Sequence, residues 1–374
     1  MGRTYGLTAA ESEILAAFCN GASLRQIAED RGRSHATIRT QFQSIGEKTG
    51  VGGQAELMRS SQAMSRFADE IGGIATMMGP STRKRFDVMR PGGRSVDVLR
   101  CGDPAGTPVI FMHGAFVHSF PRDVEEVFQK AGLALYTIGR PGFGATDPPP
   151  KGARRSEVLA GDVKAVLTQI GVERAPFLAH SGGAPETFRA AAAGLGDHIE
   201  RLVMVGALPP PRYVVRHAKS SATMTAALMF AARSNRPLLR LLLSGRHRMY
   251  VRMGTARYLE KKFAASASDL AVVRRPGFAA EFDNAVAFIS AQGYGAGTEE
   301  LVASMTDWEA DVAAFPAPVL ALQGREDPIA PLAAISDFAG AHAGVALEVV
   351  DEAGHLLLAA RPDLAADRLL NGWA

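Results

Sequence analysis

Apolar residues recur along this chain with two different spacings, and the change of spacing divides it. Within residues 7–59 they fall three and four apart: Ile14, Leu15 and Phe18, then Leu24, Ile27 and Ala28, then Ile38, Phe42 and Ile45, and finally Leu57. That is the interval of one helical face. Gly21, Gly32 and Gly53 interrupt the pattern. Thr8 followed by Glu11 has the spacing of a capping box, and Ser23 and Ser34 stand where N-caps belong. The expectation is four short helices joined by tight turns, the architecture of a helix-turn-helix unit.

From residue 85 the pattern changes to short apolar runs. Runs at 85–90 and 95–100 flank Pro91-Gly92-Gly93, a hairpin signal. Continuous apolar runs follow at 108–112, 134–138, 176–179, 202–206, 318–322 and 346–350, with helical stretches between most of them, notably 154–170 and 184–194. Strands without polar alternation, separated by helices, predict a mostly parallel sheet covered on both faces. Between the two regions, residues 60–83 read as a partly helical linker carrying Met64, Phe67 and Ile71.

Composition narrows this picture. At about 150 residues per domain, 374 residues suit two or three domains, and 47% hydrophobic content supplies a sizeable core. The formal net charge of +3 hides an uneven distribution, because residues 212–262 hold twelve Lys/Arg and one acid, Glu260. That window is +11 and leaves −8 for the remainder. Cys19 and Cys101 form no disulfide framework or metal site. The N-terminus has no apolar signal core, and no charge-free stretch is long enough to span a bilayer. The expectation is a reduced, soluble, cytoplasmic protein without membrane association.

Residues 7–51, LTAAESEILAAFCNGASLRQIAEDRGRSHATIRTQFQSIGEKTGV, resemble the LuxR/FixJ-type helix-turn-helix family in register. The resemblance implies a DNA-binding domain over 1–60 with a recognition helix at 34–48. It implies phosphate contacts from Thr37, Arg39 and Lys48, with His35, Arg39, Gln41 and Gln43 exposed near the major groove. Arg and Gln can reach base edges while Thr and Lys fix the register. Such domains generally act as homodimers on double-stranded DNA. Residues 1–60 carry seven basic and six acidic groups, little excess charge for a polyanion.

In the second region, polar fragments stand just after apolar runs: His113-Gly114-Ala115-Phe116, Ala179-His180-Ser181-Gly182-Gly183, Asp327 in GREDP and His355 in EAGHLLL. A Ser between a strand and a Gly-rich helix start is the context of a nucleophile elbow. Its hydroxyl needs a base, and His followed by a carboxylate supplies one. With this order, residues 84–374 resemble the α/β-hydrolase superfamily, with Ala179 in place of the first Gly of G-x-S-x-G. The resemblance implies Ser181 as nucleophile, His355 as base and Asp327 as its orienting acid. It implies an oxyanion hole from the N–H groups of Ala115 and Gly182, while His113 braces its loop. Residues 212–305 fall where related hydrolases insert a helical cap. Met224, Leu228, Met229, Phe230, Leu238 and Leu239 are candidates to line an apolar cavity there.

The predicted fold is therefore an α/β-hydrolase domain with a helical cap, 84–374, after a small all-α domain, 1–60, and a linker, 61–83. The leading expectation is a DNA-binding regulator whose hydrolase domain senses a small, largely apolar ligand. The alternative is a serine ester or lactone hydrolase whose helix-turn-helix serves dimerisation. No cofactor is expected: 139–144, GRPGFG, lacks the G-x-G-x-x-G spacing and a Walker lysine. Four roles stay open for the basic window: a second DNA surface, docking onto acidic protein surface, attraction of an anionic ligand, or a solvated face neutralised by nearby acids.

Overall fold

The structure, a computed structural model, describes residues 7–19, 24–49, 82–114, 117–217, 235–293 and 295–373. Three helices open the chain: α1 (Ala9–Cys19), α2 (Leu24–Asp30) and α3 (His35–Thr49). Their inner faces form one small core from Ile14, Leu15, Phe18, Leu24, Ile27, Ala28, Ile38, Phe42 and Ile45. The Phe18 and Phe42 rings meet edge to face at 4.6 Å. The capping box closes in both directions, Thr8 N–H donating to Glu11 Oε2 at 2.7 Å and Glu11 N–H to Thr8 Oγ1 at 3.2 Å. Ser34 Oγ likewise accepts from Thr37 N–H at 3.1 Å. The expected fourth helix after Gly53 and the linker to residue 81 lie outside the described residues.

The rest is built on one eight-stranded sheet: β1 (Lys84–Met89), β2 (Ser95–Gly102), β3 (Thr107–Met112), β4 (Leu133–Ile138), β5 (Ala175–His180), β6 (Ile199–Val205), β7 (Val319–Gly324) and β8 (Val345–Val350). The order is β1-β2-β4-β3-β5-β6-β7-β8. Strands β3 to β8 pair parallel, while the hairpin β1–β2 joins β4 antiparallel. Every residue of β4, β5 and β7 is buried.

The continuous apolar runs have a simple cause. Alternate residues of a strand point to opposite faces, and here each face has its own core. Ile110, Met112, Phe177, Ala179, Met204 and Ala321 join one. Val109, Phe111, Leu178, Val205, Leu320 and Leu322 join the other. Helices cover the first face at α5 (Arg155–Gln169), α6 (Gly183–Ala190) and α14 (Leu332–Ala341). The second is covered at α4 (Arg122–Lys130), α15 (Leu357–Ala360) and α16 (Pro362–Asn371). Residues buried on α5 include Asp162, whose carboxylate takes Arg90 and Arg94 from the two sides of the hairpin turn at 2.7–2.8 Å.

Between β6 and β7 stand seven described helices, α7 (Pro211–Arg216), α8 (Arg236–Met253), α9 (Thr255–Lys262), α10 (Ala267–Val273), α11 (Phe278–Ser290), α12 (Gly295–Ser304) and α13 (Glu309–Ala313). This is the helical cap. Leu259, Phe263, Phe278 and Phe282 join it to the second core face. Of the residues expected to line a cavity, Met224, Leu228, Met229 and Phe230 lie outside the described residues. Leu239 is fully buried but Leu238 is 40% exposed. Neighbours on a helix point about 100° apart, so the two can differ this much in exposure. Among the described residues of the basic window, Arg212 pairs with Glu309, Arg216 with Asp337 at 3.3 Å, and Arg236 with Glu299 at 3.2 Å. Among the described residues no helix is long and apolar enough to cross a membrane, and no group of His, Cys, Asp and Glu could hold a metal ion. Cys101 is buried and burial pushes its thiol pKa up.

The helical unit has a titratable tie. Lys48 Nζ bonds both carboxylate oxygens of Glu11, at 2.9 and 2.6 Å, and Ser44 Oγ donates to the same group at 2.8 Å. The Lys48 bond first and the Thr8 N–H second hold the Glu11 pKa down at about 2, against the opposing effect of burial. A carboxyl whose pKa is lowered on folding stabilises the fold above its unfolded value and loses that contribution as pH falls through its folded value. Hydrogen exchange of residues 9–49 in the intact chain is therefore expected to accelerate as pH drops from about 4.5 to about 2, after correction for intrinsic rates. In Glu11→Gln that acid-induced change should shrink.

Candidate active site

The sheet's carboxyl edge is where the parallel strands release their polar residues. Strand β3 has β4 on one side and β5 on the other, so the connections leave it in opposite directions. Ligand sites of open α/β sheets lie at such a reversal. His113 and Gly114 follow β3, Ser181 follows β5, Asp327 follows β7 and His355 follows β8.

Ser181 occupies the turn between β5 and α6 with φ 50°, a left-handed conformation that costs an L-residue roughly 1–2 kcal/mol. The turn is tight because α6 starts against β3, and a Cβ at Gly183 would be driven into the Met112 carbonyl. Ala179, the departure from the elbow pattern, is a buried strand residue whose methyl joins the first core face. Ser181 N–H donates to Val205 O at 3.1 Å, fixing the elbow to β6. The serine is 7% exposed.

His355 and Asp327 meet directly, Nδ1 to Oδ2 at 3.0 Å, with both residues buried. Asp327 Oδ1 accepts two backbone N–H groups, from Ile329 and Ala330, each at 2.8 Å. Gln323 Nε2, buried on β7, donates to Oδ2 at 3.1 Å and to Ala330 O at 2.8 Å. Burial works against the Asp327 charge, but His355 and the two N–H donors outweigh it and hold the carboxyl below its ordinary pKa. An ionised acceptor at Oδ2 makes Nδ1 the protonated ring nitrogen of His355 and leaves Nε2 as the basic one. Nε2 is buried and has no hydrogen-bond partner among the described residues, so Ser181 Oγ is not bonded to it here. Bonds of this kind often close only with substrate in place.

His180, next to Ser181, carries no mark in the sequence that singles it out. It is fully buried, and its Nε2 meets the His355 carbonyl at 3.2 Å. Burial, then the neighbouring His355, lowers its pKa to about 3, so it stays neutral. His113 bonds the carbonyl of Gly114 through Nδ1 at 2.8 Å, and its ring meets Phe143 and Phe288 edge to face. Burial first, then Arg140, lowers its pKa well below the ordinary histidine value. Gly114 N–H closes a turn on Val117 O at 3.1 Å. Ala115 lies outside the described residues. Gly182 is the N-cap of α6, where helix geometry leaves backbone donors without intrahelical acceptors.

The GRPG loop after β4 also matters here. Arg140 is 2% exposed and grips Glu300 of the cap helix α12 with two bonds, at 2.7 and 2.8 Å. Its third nitrogen donates to the His113 carbonyl. Arg155 adds a bond to Glu300 at 2.6 Å and one to Pro141 O at 2.6 Å. Burial opposes the Glu300 charge, but the two arginines hold its pKa down. Nearby Glu186 is pushed up to about 7, by burial first and by Glu300 second. One guanidinium thus joins the loop after β3 to the cap.

Leaving one partner of a buried ion pair without the other typically costs about 3–5 kcal/mol. Glu300→Leu leaves both Arg140 and Arg155 without their shared acid and is expected to lower the urea-unfolding free energy by about that much. Arg140→Met combined with Glu300→Leu should recover part of the loss, giving a clear coupling energy.

The residues of the N-terminal proposal are spread along α3. His35, Thr37, Arg39 and Gln43 are exposed and Gln41 is half-buried. Lys48, expected at a phosphate, is bonded to Glu11. A helix this close to its neighbour brings a long side chain from its last turn onto the first turn of α1, which the sequence spacing did not reveal.

Residues 107–362 match the family model for the alpha/beta hydrolase fold. No curated protein matches the chain. Solved structures similar to it include a bromoperoxidase from Bacillus anthracis, with 20% identity, TM-score 0.54, and 78% of this chain and 99% of that one covered. An esterase from Exiguobacterium antarcticum has 18% identity and TM-score 0.53, covering 77% and 98%. The enol-lactonase from Burkholderia xenovorans LB400 has 17% identity and TM-score 0.53, covering 77% and 99%. At these identities the likeness is one of fold. The family match spans most of the chain and contains the elbow serine, the acid and the histidine, so the chain belongs to the α/β-hydrolase fold family.

Proposed function

We propose that this protein is a serine hydrolase acting on a small, largely apolar carboxylic ester or lactone. One observation carries the reading: a serine held at left-handed φ on the strand–helix turn of a sheet whose next loops bring a buried His355–Asp327 pair to the same edge. A serine at that turn directs the chemistry to acyl transfer. His355 Nε2 takes the proton of Ser181 Oγ as the oxygen attacks the ester carbonyl, then returns it to the leaving alkoxide. Asp327 holds the ring tautomer and balances the imidazolium. Water repeats the sequence on the acyl-serine and frees the acid. The Gly182 N–H, with Ala115, is assigned to the oxyanion. The apolar character of the substrate is supported by Phe288 of the cap, stacked on His118 at 4.0 Å and packed against His113. An esterase and an enol-lactonase are among the proteins sharing this fold, which fits the reading.

Hydrolysis of short-chain p-nitrophenyl esters and of aliphatic lactones tests it. Ser181→Ala and Asp327→Asn are each expected to lower kcat by roughly 10⁴-fold. Turnover unchanged in Ser181→Ala would remove that residue as nucleophile.

A second reading attaches to the first domain: a homodimeric regulator that binds double-stranded DNA through α3. Its support is the exposed side of α3, where His35, Arg39 and Gln43 stand clear of the small core. Electrophoretic shift on the DNA upstream of its own gene tests it. Arg39→Ala with Gln43→Ala should weaken a specific shift by at least about tenfold, since each good base contact contributes about 1–3 kcal/mol. No specific shift with the unaltered protein counts against the reading.

A further inference from the structure

Asp269 sits on the cap yet belongs to the histidine loop. It lies in α10, is 1% exposed, and its own N–H is capped by Ser266 Oγ at 3.1 Å. Its carboxylate points out of the cap and spans two consecutive backbone donors: His355 N–H to Oδ2 at 3.0 Å and Leu356 N–H to Oδ1 at 2.8 Å. The fit is close enough to dictate the neighbouring residue, because a Cβ at Gly354 would overlap the Asp269 carboxyl group. The same helix start docks on the acid loop, where Glu326 accepts from Ser268 Oγ at 3.0 Å and from Ser268 N–H at 3.4 Å.

His355 is therefore held from three elements. The ring is bonded by Asp327 after β7, the carbonyl meets His180 at the end of β5, and the N–H is bonded by Asp269 from the cap. Two of these holds come from the sheet. The third exists only while the cap is seated.

We propose that Asp269 is a positioning residue for the proposed base, so that seating of the cap and alignment of His355 are one event. It touches no reacting atom. It fixes the backbone from which the imidazole projects, and Nε2 must stay aimed at Ser181 and at the leaving oxygen in turn. Small misplacement of such a group costs up to about 100-fold in rate. Asn at 269 retains one acceptor oxygen but offers an NH2 group to the other backbone donor, so it satisfies only one of the two bonds. The proposal rests on the serine-hydrolase reading for its kinetic consequence and on geometry alone for its structural one.

The test uses the full chain and the variants Asp269→Asn and Asp269→Ala, with p-nitrophenyl butyrate as substrate and a fluorophosphonate to titrate reactive Ser181. Per titrated site, kcat should fall roughly 10- to 100-fold in Asp269→Ala with KM within about threefold, and Asp269→Asn should lie between it and the parent. A purely architectural role would lower the number of titratable sites and leave the rate per site unchanged, which overturns the proposal. In parallel, the low-field proton NMR signal of His355 Nδ1–H should move or broaden in both variants while the thermal midpoint of Asp269→Asn stays near the parent's. A signal identical in the parent and in folded Asp269→Asn also overturns the proposal. If the parent shows no Ser181-dependent turnover while the signal still responds to Asp269, the hydrolase reading fails and the positioning role stands.

Discussion

A sheet buried on both faces can carry polar chemistry only where its strands end. Residues along β4, β5 and β7 have no solvent to face, and an unpaired polar side chain there would forfeit several hydrogen bonds to water. The strand interiors are accordingly dominated by Val, Ile, Leu, Phe, Met and Ala. Parallel pairing then aligns the ends of β3, β5, β7 and β8 on one edge, so residues far apart in sequence meet without any long excursion of the chain. Asp97, Thr137, His180 and Gln323 are buried polar exceptions within strands. Gln323 is the informative one, because its amide divides between the Asp327 carboxylate and the Ala330 carbonyl and so fixes the acid loop from beneath.

Buried charge is placed where elements from distant parts of the chain must be joined. Asp162 takes two arginines and binds the hairpin to α5. Glu300 takes Arg140 and Arg155 and binds the cap to the loops after β3 and β4. Arg83 lies between Glu125 and Glu281 and links the start of the sheet, α4 and the cap helix α11. Burial pushes Glu125 up to about 7 even with Arg83 beside it, a sign of how dry this junction is. Such pairs add little net stability over apolar packing of the same shape. They do add direction, since a bidentate guanidinium–carboxylate pair tolerates only one orientation.

Much of this was legible in sequence, for identifiable reasons. The strands appear within three residues of their expected ends, because two-sided burial imposes uninterrupted apolar runs. The Thr8–Glu11 box closes as its spacing foretold, because capping is local. Ser181, Asp327 and His355 are recognisable because each follows a strand in a known order. What escaped was whatever depends on two segments meeting at long range. Asp269 and Glu300 reach residues 355 and 140 across 86 and 160 positions, and nothing local in the sequence marks either contact. His180 has no local mark either, because the carbonyl its ring meets lies 175 positions later. Lys48 looked available to phosphate because its partner Glu11 lies 37 positions earlier.

The cap's two carboxylates also bear on how freely this fold can exchange its roof. Cap segments are the natural unit to swap when a hydrolase is to be given a new pocket, since they enter and leave between two adjacent strands. Here that unit carries the acceptor for the histidine loop and the partner of the arginine that bonds the loop after β3. A transplanted roof would bring its own pocket walls but would leave Arg140 a buried cation without its anion and two backbone donors of the histidine loop unmet. The cap of this protein is thus not a module in the engineering sense. Residues 269 and 300 form part of the sheet's chemistry, although the chain order assigns them to its cover.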